Sequence, residues 1–280
     1  MLANSFEVAN YTNTRFNSTK IHIGYFDKMS GVWDSGSNGT EFHKMSDASF
    51  VPQLNKNEAA GLGVYYVATE FNHKYHHIKL WEYYAPDLYN TLFTQYNYKN
   101  NGGNFDYDFG LQLINWQQVG KLKASPTEID YSLYSIKYDA DFKNGLSFAS
   151  GVSRYSDGDG QGSTLGAWGG YPYFANGMIF HFFEAGSLRN SASYKIQVAF
   201  DLTQIGIENA VIKTRYTSFD LDPNYSISSN GQPENNMDLI GIQLSYAFFK
   251  TGYFNATIEQ HNLDKDKPVT AIRLIGGYRF

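Results

Sequence analysis

Apolar and polar residues alternate at every second position through almost the whole chain. In Phe105–Leu113, Phe105, Tyr107, Phe109, Leu111 and Leu113 alternate with Asp106, Asp108, Gly110 and Gln112. Ser193–Leu202 sets Tyr194, Ile196, Val198, Phe200 and Leu202 against Lys195, Gln197, Ala199 and Asp201. A period of two places each set on one face of a β-strand. Segments of this kind recur about thirteen times, and no stretch sustains the 3.6-residue period of a helix. The connections follow a rhythm. Those near Asn17, Asn72, Asn101, Asn144, Ile205 and Thr251 are short, whereas those around Trp33–Asn57, Gln117–Asp130, Tyr155–Asn190 and Asp220–Asn236 are medium or long. Short turns on one side and longer loops on the other are the habit of a membrane barrel. The predicted fold class is therefore all-β, an antiparallel transmembrane β-barrel forming a single domain over residues 1–280. A soluble sandwich is the alternative, and it would need two inner faces and turns of mixed length.

The last segment, Val269–Phe280, separates the two readings. One face carries Ile272, Leu274, Gly276, Tyr278 and Phe280, and the other Ala271, Arg273, Ile275, Gly277 and Arg279. An aromatic, apolar face running to the final residue fits lipid, with the arginines turned to a wet interior.

Composition narrows the classes. The chain of 280 residues has no cysteine, which excludes disulfides, thiol catalysis and cysteine-bound metals. The net charge of −5 gives no basic footprint for nucleic acid. No apolar run approaches the roughly 18 residues of a membrane helix, a test that barrel strands escape because half their residues are polar. The start, MLANSFEVAN, lacks a basic and an apolar signal region. At face value this predicts a cytoplasmic protein. For a barrel it predicts a removed signal or an absent front part. Counting back from a periplasmic end, the first visible strand comes down, so strands before it are expected to be missing.

Several ordered pieces resemble the OprD-type substrate-selective porins, in particular the branch of bacteria related to Campylobacter. They are FEVANYTN–TKIHIGYFDK, GVYYVATEF, LWEYYAPDLYNTLFTQYNYK, EIDYSLYSIKYDADFKNGLSFASGVSRYSDGD and AWGGYPYF. The resemblance implies a barrel of roughly 18 strands, of which this chain would be the C-terminal part, in the bacterial outer membrane. It implies passive diffusion of small hydrophilic solutes, often carboxylates, past basic side chains and through a pore narrowed by inward-folded loops. One of the two constricting loops would lie in the missing part.

Basic residues on the polar faces are Lys20, His22, Lys79, Lys137, Lys195, Lys213, Arg215, Arg273 and Arg279. Such charges attract anions across a narrow passage, and arginine holds a carboxylate with two parallel bonds. The same faces carry Asp106, Asp108, Asp139, Asp201 and Glu259, so a mixed polar lining is the plainer account. The loop Tyr155–Asn190, with Trp168, Tyr171, Tyr173 and Phe174, is too aromatic to stand in water and is expected to fold inward as a constriction or to pack at the barrel mouth. Asp157-Gly-Asp-Gly begins like a calcium loop, but Trp168 stands where the bidentate glutamate belongs. His73, His76 and His77 are surface histidines rather than metal ligands. No catalytic motif appears, so the chain is expected not to be an enzyme and to hold no cofactor. The expected partners are outer-membrane lipid, lipopolysaccharide and the passing solutes. The rival functions are a barrel hydrolase and a soluble carbohydrate-binding β-protein.

Overall fold

A strand with one apolar and one polar face is stable where each face meets its own medium, and the chain solves this repeatedly. A computed structural model describes residues 5–30, 42–44, 63–87, 89–120, 130–157, 174–179, 189–224, 231, 233, 235–248 and 251–278. The strands are β1 (Ser5–Asn13), β2 (Thr19–Ser30), β3 (His43–Lys44), β4 (Val64–His73), β5 (His76–Ala85), β6 (Tyr89–Asn101) and β7 (Phe105–Gln118). They continue as β8 (Tyr131–Phe142), β9 (Leu146–Tyr155), β10 (Ala192–Asp201), β11 (Ala210–Asp220), β12 (Asn236–Phe248), β13 (Gly252–Leu263) and β14 (Val269–Tyr278). Among the described residues, the sheet follows chain order from β1 to β14, with only the two-residue β3 off the path, against β2. The expected all-β, antiparallel architecture and its strand sequence are thus present.

The strands fall into two compact units. The first takes Met1–Tyr96 and Gln112–Ser132 among its segments, and the second Asn97–Leu111, Leu133–Asp157 and Tyr173–Phe280. In the first, Ile23 pairs with Val67, and Tyr65 lies between Tyr25 and Tyr84 on an exposed face. On the opposite face His22, Tyr66, Trp81, Tyr83 and Phe26 gather, with Trp81 5.7 Å from both His22 and Tyr66.

In the second unit the register sorts residues into rows. Phe148, Val198, Thr214, Ile242, Ile258 and Ile272 are successive cross-strand partners. Val198, Ile242, Ile258 and Ile272 are exposed. Tyr134, Tyr194 and Tyr216 are exposed toward one end of their strands, and Phe142, Tyr246, Phe254 and Tyr278 toward the other. Aromatic bands at both ends of an apolar belt are what a bilayer selects. The opposite face, the inner face below, carries the rows Ser147–Ala199–Lys213–Gln243–Thr257–Arg273 and Ala149–Gln197–Arg215–Gly241–Glu259–Ala271. One-residue alternation therefore separates apolar from polar rows across six strands.

Boundaries moved where side-chain packing extends a strand. β7 continues past Leu113 to Gln118, where Trp116 stacks on Tyr89 at 5.1 Å and on Tyr131 at 6.0 Å. After the long connection expected around Trp33–Asn57, β4 begins at Val64. β3, too short to show a period, was not legible beforehand. The short turn at Ile205 contains a 3-10 helix, Leu202–Ile205, in which Asp201 accepts the Thr203 amide and Gly206 closes the end at φ 88°. A left-handed residue at that position favours glycine.

Candidate functional site

The inner face of the second unit is not bare. Residues 174–179, a strap from the long loop after β9, lie against it. The Ala175 amide donates to Ser153 Oγ at 3.3 Å, and Ser193 Oγ donates to the Ala175 carbonyl at 3.1 Å. Thr217 Oγ1 donates to the Asn176 carbonyl at 2.9 Å. Arg215 donates to the Asn176 carbonyl and side-chain oxygens, both at 3.1 Å, and to the Gly177 carbonyl. Glu259 accepts the amides of Met178 and Ile179. Side chains from β9, β10, β11 and β13 thus satisfy the strap backbone, the accounting that any peptide held away from water requires.

Two mid-strand glycines make room. A Cβ on Gly151 would sit 3.3 Å from the Phe174 carbonyl oxygen, and one on Gly241 would sit 2.8 Å from Met178 Sδ. Glycine inside a strand marks a close approach by other backbone. Gly151→Val is accordingly expected to lift the Phe174–Ala175 end of the strap while leaving the sheet intact. Faster hydrogen exchange at the Ala175 amide, with unchanged exchange in β10, is the expected result; an unchanged Ala175 amide would show that the glycine gives no clearance.

The predicted basic residues occupy different environments. Lys137 bridges Asp108 at 2.9 Å and Asp139 at 2.5 Å, and its ammonium lies 5.6 Å from the centre of the Phe174 ring. Asp108 also meets Lys99 at 3.4 Å and accepts from Asn97 at 2.7 Å. Arg215 is committed to the strap and, through Nε and Nη2, to Gln197 at 3.0 and 2.7 Å. Lys195, Lys213 and Arg273 lie on the inner rows, and among the described residues they make no ion pair or hydrogen bond. The charges acting on Lys195 are Arg215, Asp139, Lys137 and Lys213. In the first unit Lys20 and Lys79 flank Glu70 in register, and His22 bonds Thr12 at 2.9 Å. Arg279, Trp168, Tyr171 and Tyr173 lie outside the described residues, as does the Asp157-Gly-Asp-Gly segment beyond Asp157. Of the named loop aromatics, Phe174 is described, and it stands at the start of the strap.

The acidic residues are equally sorted. Asp106 pairs with Lys143 at 2.9 Å, and Asp201 caps its turn. Glu259 is almost fully buried and lies 3.3 Å from His261. At the loop bases, Asn190 donates to Asp222 at 2.7 Å. Burial raises the Asp222 carboxyl, but hydrogen bonds from the Asn224 amide and the Asn190 and Asn224 side chains, with the Arg189 charge, hold it below the ordinary carboxylate range. No cluster of His, Asp and Glu among the described residues has the geometry of a metal site.

The sequence reading expected the loop Tyr155–Asn190 to fold inward or pack at the mouth, but it singled out neither Asn176–Ile179 nor the hydroxyls that hold them. The available signal was Gly151 and Gly241, glycines on polar faces of otherwise regular strands.

No protein-family model matches the chain, and no curated protein matches it significantly. Solved structures do. OpdK from Pseudomonas aeruginosa, determined with vanillate, is 15% identical, and the match covers 98% of this chain and 68% of that one at a TM-score of 0.75. OccAB4 from Acinetobacter baumannii is 16% identical, with 98% and 65% covered and a TM-score of 0.75. A BenF-like porin from Pseudomonas fluorescens is 13% identical, with 98% and 67% covered and a TM-score of 0.71. The chain spans about two thirds of the length of these proteins. It has the fold of the OpdK and BenF-like outer-membrane barrels, which is the fold its OprD-type sequence pieces implied.

Proposed function

We propose that the chain forms the wall of an outer-membrane pore through which small hydrophilic solutes diffuse passively, anions in preference. The observation that carries this is the two-faced sheet. The same strands turn exposed Ile, Val and Tyr rows one way and polar rows with Lys195, Lys213 and Arg273 the other. Exposed apolar rows of this extent would drive a soluble protein to aggregate, whereas lipid and lipopolysaccharide cover them in a membrane. The cations would draw anions into a narrow, low-dielectric passage. Vanillate, with which OpdK was determined, is a small carboxylate, and this supports carboxylates as the solute class. The chemistry is binding and passage, with no bond made or broken.

The expected result in planar bilayers is discrete, ohmic conductance steps. Under a potassium chloride gradient, the reversal potential should sit on the anion side, and Lys195→Glu with Lys213→Glu should carry it to the cation side. A bilayer that stays silent would sink the pore reading. Steps whose selectivity ignores both substitutions would remove anion preference from it.

A further inference from the structure

The strap is held between two opposite charges on one row of the inner face. Arg215 on β11 and Glu259 on β13 flank Gly241 on β12 as successive register partners. With the strap in place, Arg215 takes the carbonyls of Asn176 and Gly177, and Glu259 takes the amides of Met178 and Ile179. The strap's peptide dipoles therefore stand where a direct ion pair would otherwise run. Neighbouring strands are about 4.8 Å apart, so the two residues are within joint reach across a position that has no side chain.

We propose that Arg215, Gly241 and Glu259 form a two-state latch, with the strap seated between the charges in one state and lifted in the other, where the charges pair directly over Gly241. The proposal rests on the pore reading, because the strap's position then sets the width of the passage. The glycine serves both states. A Cβ there would strike Met178 Sδ at 2.8 Å and approach Glu259 Oε2 at 3.2 Å. Lifting the strap leaves no charge stranded on a low-dielectric wall, since each latch residue exchanges a peptide partner for the other. Among the described residues, the strap's other hydrogen bonds to the sheet come from Ser153, Ser193 and Thr217, neutral hydroxyls that water satisfies, and the Lys137 ammonium near the Phe174 ring keeps Asp108 and Asp139 as partners. Gln197 keeps the guanidinium aimed along the row.

Two variants test this. In S153C/A175C, made in a chain without native cysteine and with Gly241 intact, a disulfide traps the seated state, in which the Ala175 amide lies 3.3 Å from Ser153 Oγ. Mass spectrometry of unreduced peptides scores its yield, and single-channel recording scores its effect. Two conductance levels are expected under reducing conditions, the upper one vanishing on oxidation and returning with reductant. Glu259→Gln keeps an oxygen for the Met178 amide, gives up the weaker 3.4 Å bond to the Ile179 amide, and removes the charge that pairs with Arg215. The latch requires the upper level to lose occupancy roughly threefold or more, and the disulfide to form correspondingly faster when E259Q is added to the cysteine pair. A simple anchor gives the opposite, a looser strap and slower disulfide formation, and that result overturns the latch. An upper level persisting through oxidation also overturns it. If no channel forms at all, the pore reading fails, while the disulfide rates still decide the latch.

Discussion

Ile242→Arg is expected to cost roughly 2–4 kcal/mol of stability in a bilayer, while Gln243→Arg, one residue on, costs little. Ile242 is exposed in the middle of the row Val198–Thr214–Ile242–Ile258–Ile272, with strands on both sides and aromatic residues toward both ends. A guanidinium there has hydrocarbon on every accessible side. Its only relief is to stretch toward the headgroups, which is least effective at mid-depth. Gln243 lies on the inner row between Lys213 and Thr257 and donates to Thr257 Oγ1 at 3.0 Å. Arginine there gains water and loses one neutral hydrogen bond, worth about 1 kcal/mol. Unfolding from lipid vesicles in urea measures the difference. Equal losses at 242 and 243 would mean that the two faces meet the same medium, which would remove the membrane orientation altogether.

The orientation was legible because alternation survives any detail of packing. Tyr194, Ile196 and Val198 read as one face, and they are exposed together. The last strand, where Ile272, Leu274 and Tyr278 oppose Arg273, reads as it folds. What alternation cannot show is which polar residues find one another. Lys137 and Lys195 look alike in sequence, each a lone lysine within an apolar–polar run. Asp139 follows Lys137 by two on the same face of β8, and the fold adds Asp108 on β7, whereas register places Lys195 opposite Gly151 and Thr217. Arg215, expected to face passing anions, faces the strap, because a segment nearly forty residues earlier returns to β11. A loop's return path depends on long-range closure, and no local period records it.

The difference between those two lysines makes the sharpest contrast for experiment. Lys195→Met is expected to leave stability within roughly 0.5 kcal/mol of the parent, or to raise it slightly, while moving the reversal potential toward cations. Its ammonium is partly drawn from water beside Arg215, Lys137 and Lys213, and among the described residues Asp139 is the charge that attracts it. Removing it relieves desolvation and repulsion, and methionine fills the same length with an apolar chain. Lys137→Met removes the cation shared by Asp108 and Asp139 and the contact with the Phe174 ring. Two carboxylates then face each other, with Lys99 and Asn97 left for Asp108 among the described residues. Breaking a fully buried pair this way costs more, but these groups keep some solvent, so about 1–3 kcal/mol is expected. Selectivity shifts toward cations in both variants, and only stability separates them. Urea midpoints in vesicles, measured beside reversal potentials in planar bilayers, read both quantities. A Lys195→Met barrel as fragile as Lys137→Met would show that Lys195 holds structure rather than standing open to solute, and the anion path would then have to be drawn through Lys213 and Arg273 alone.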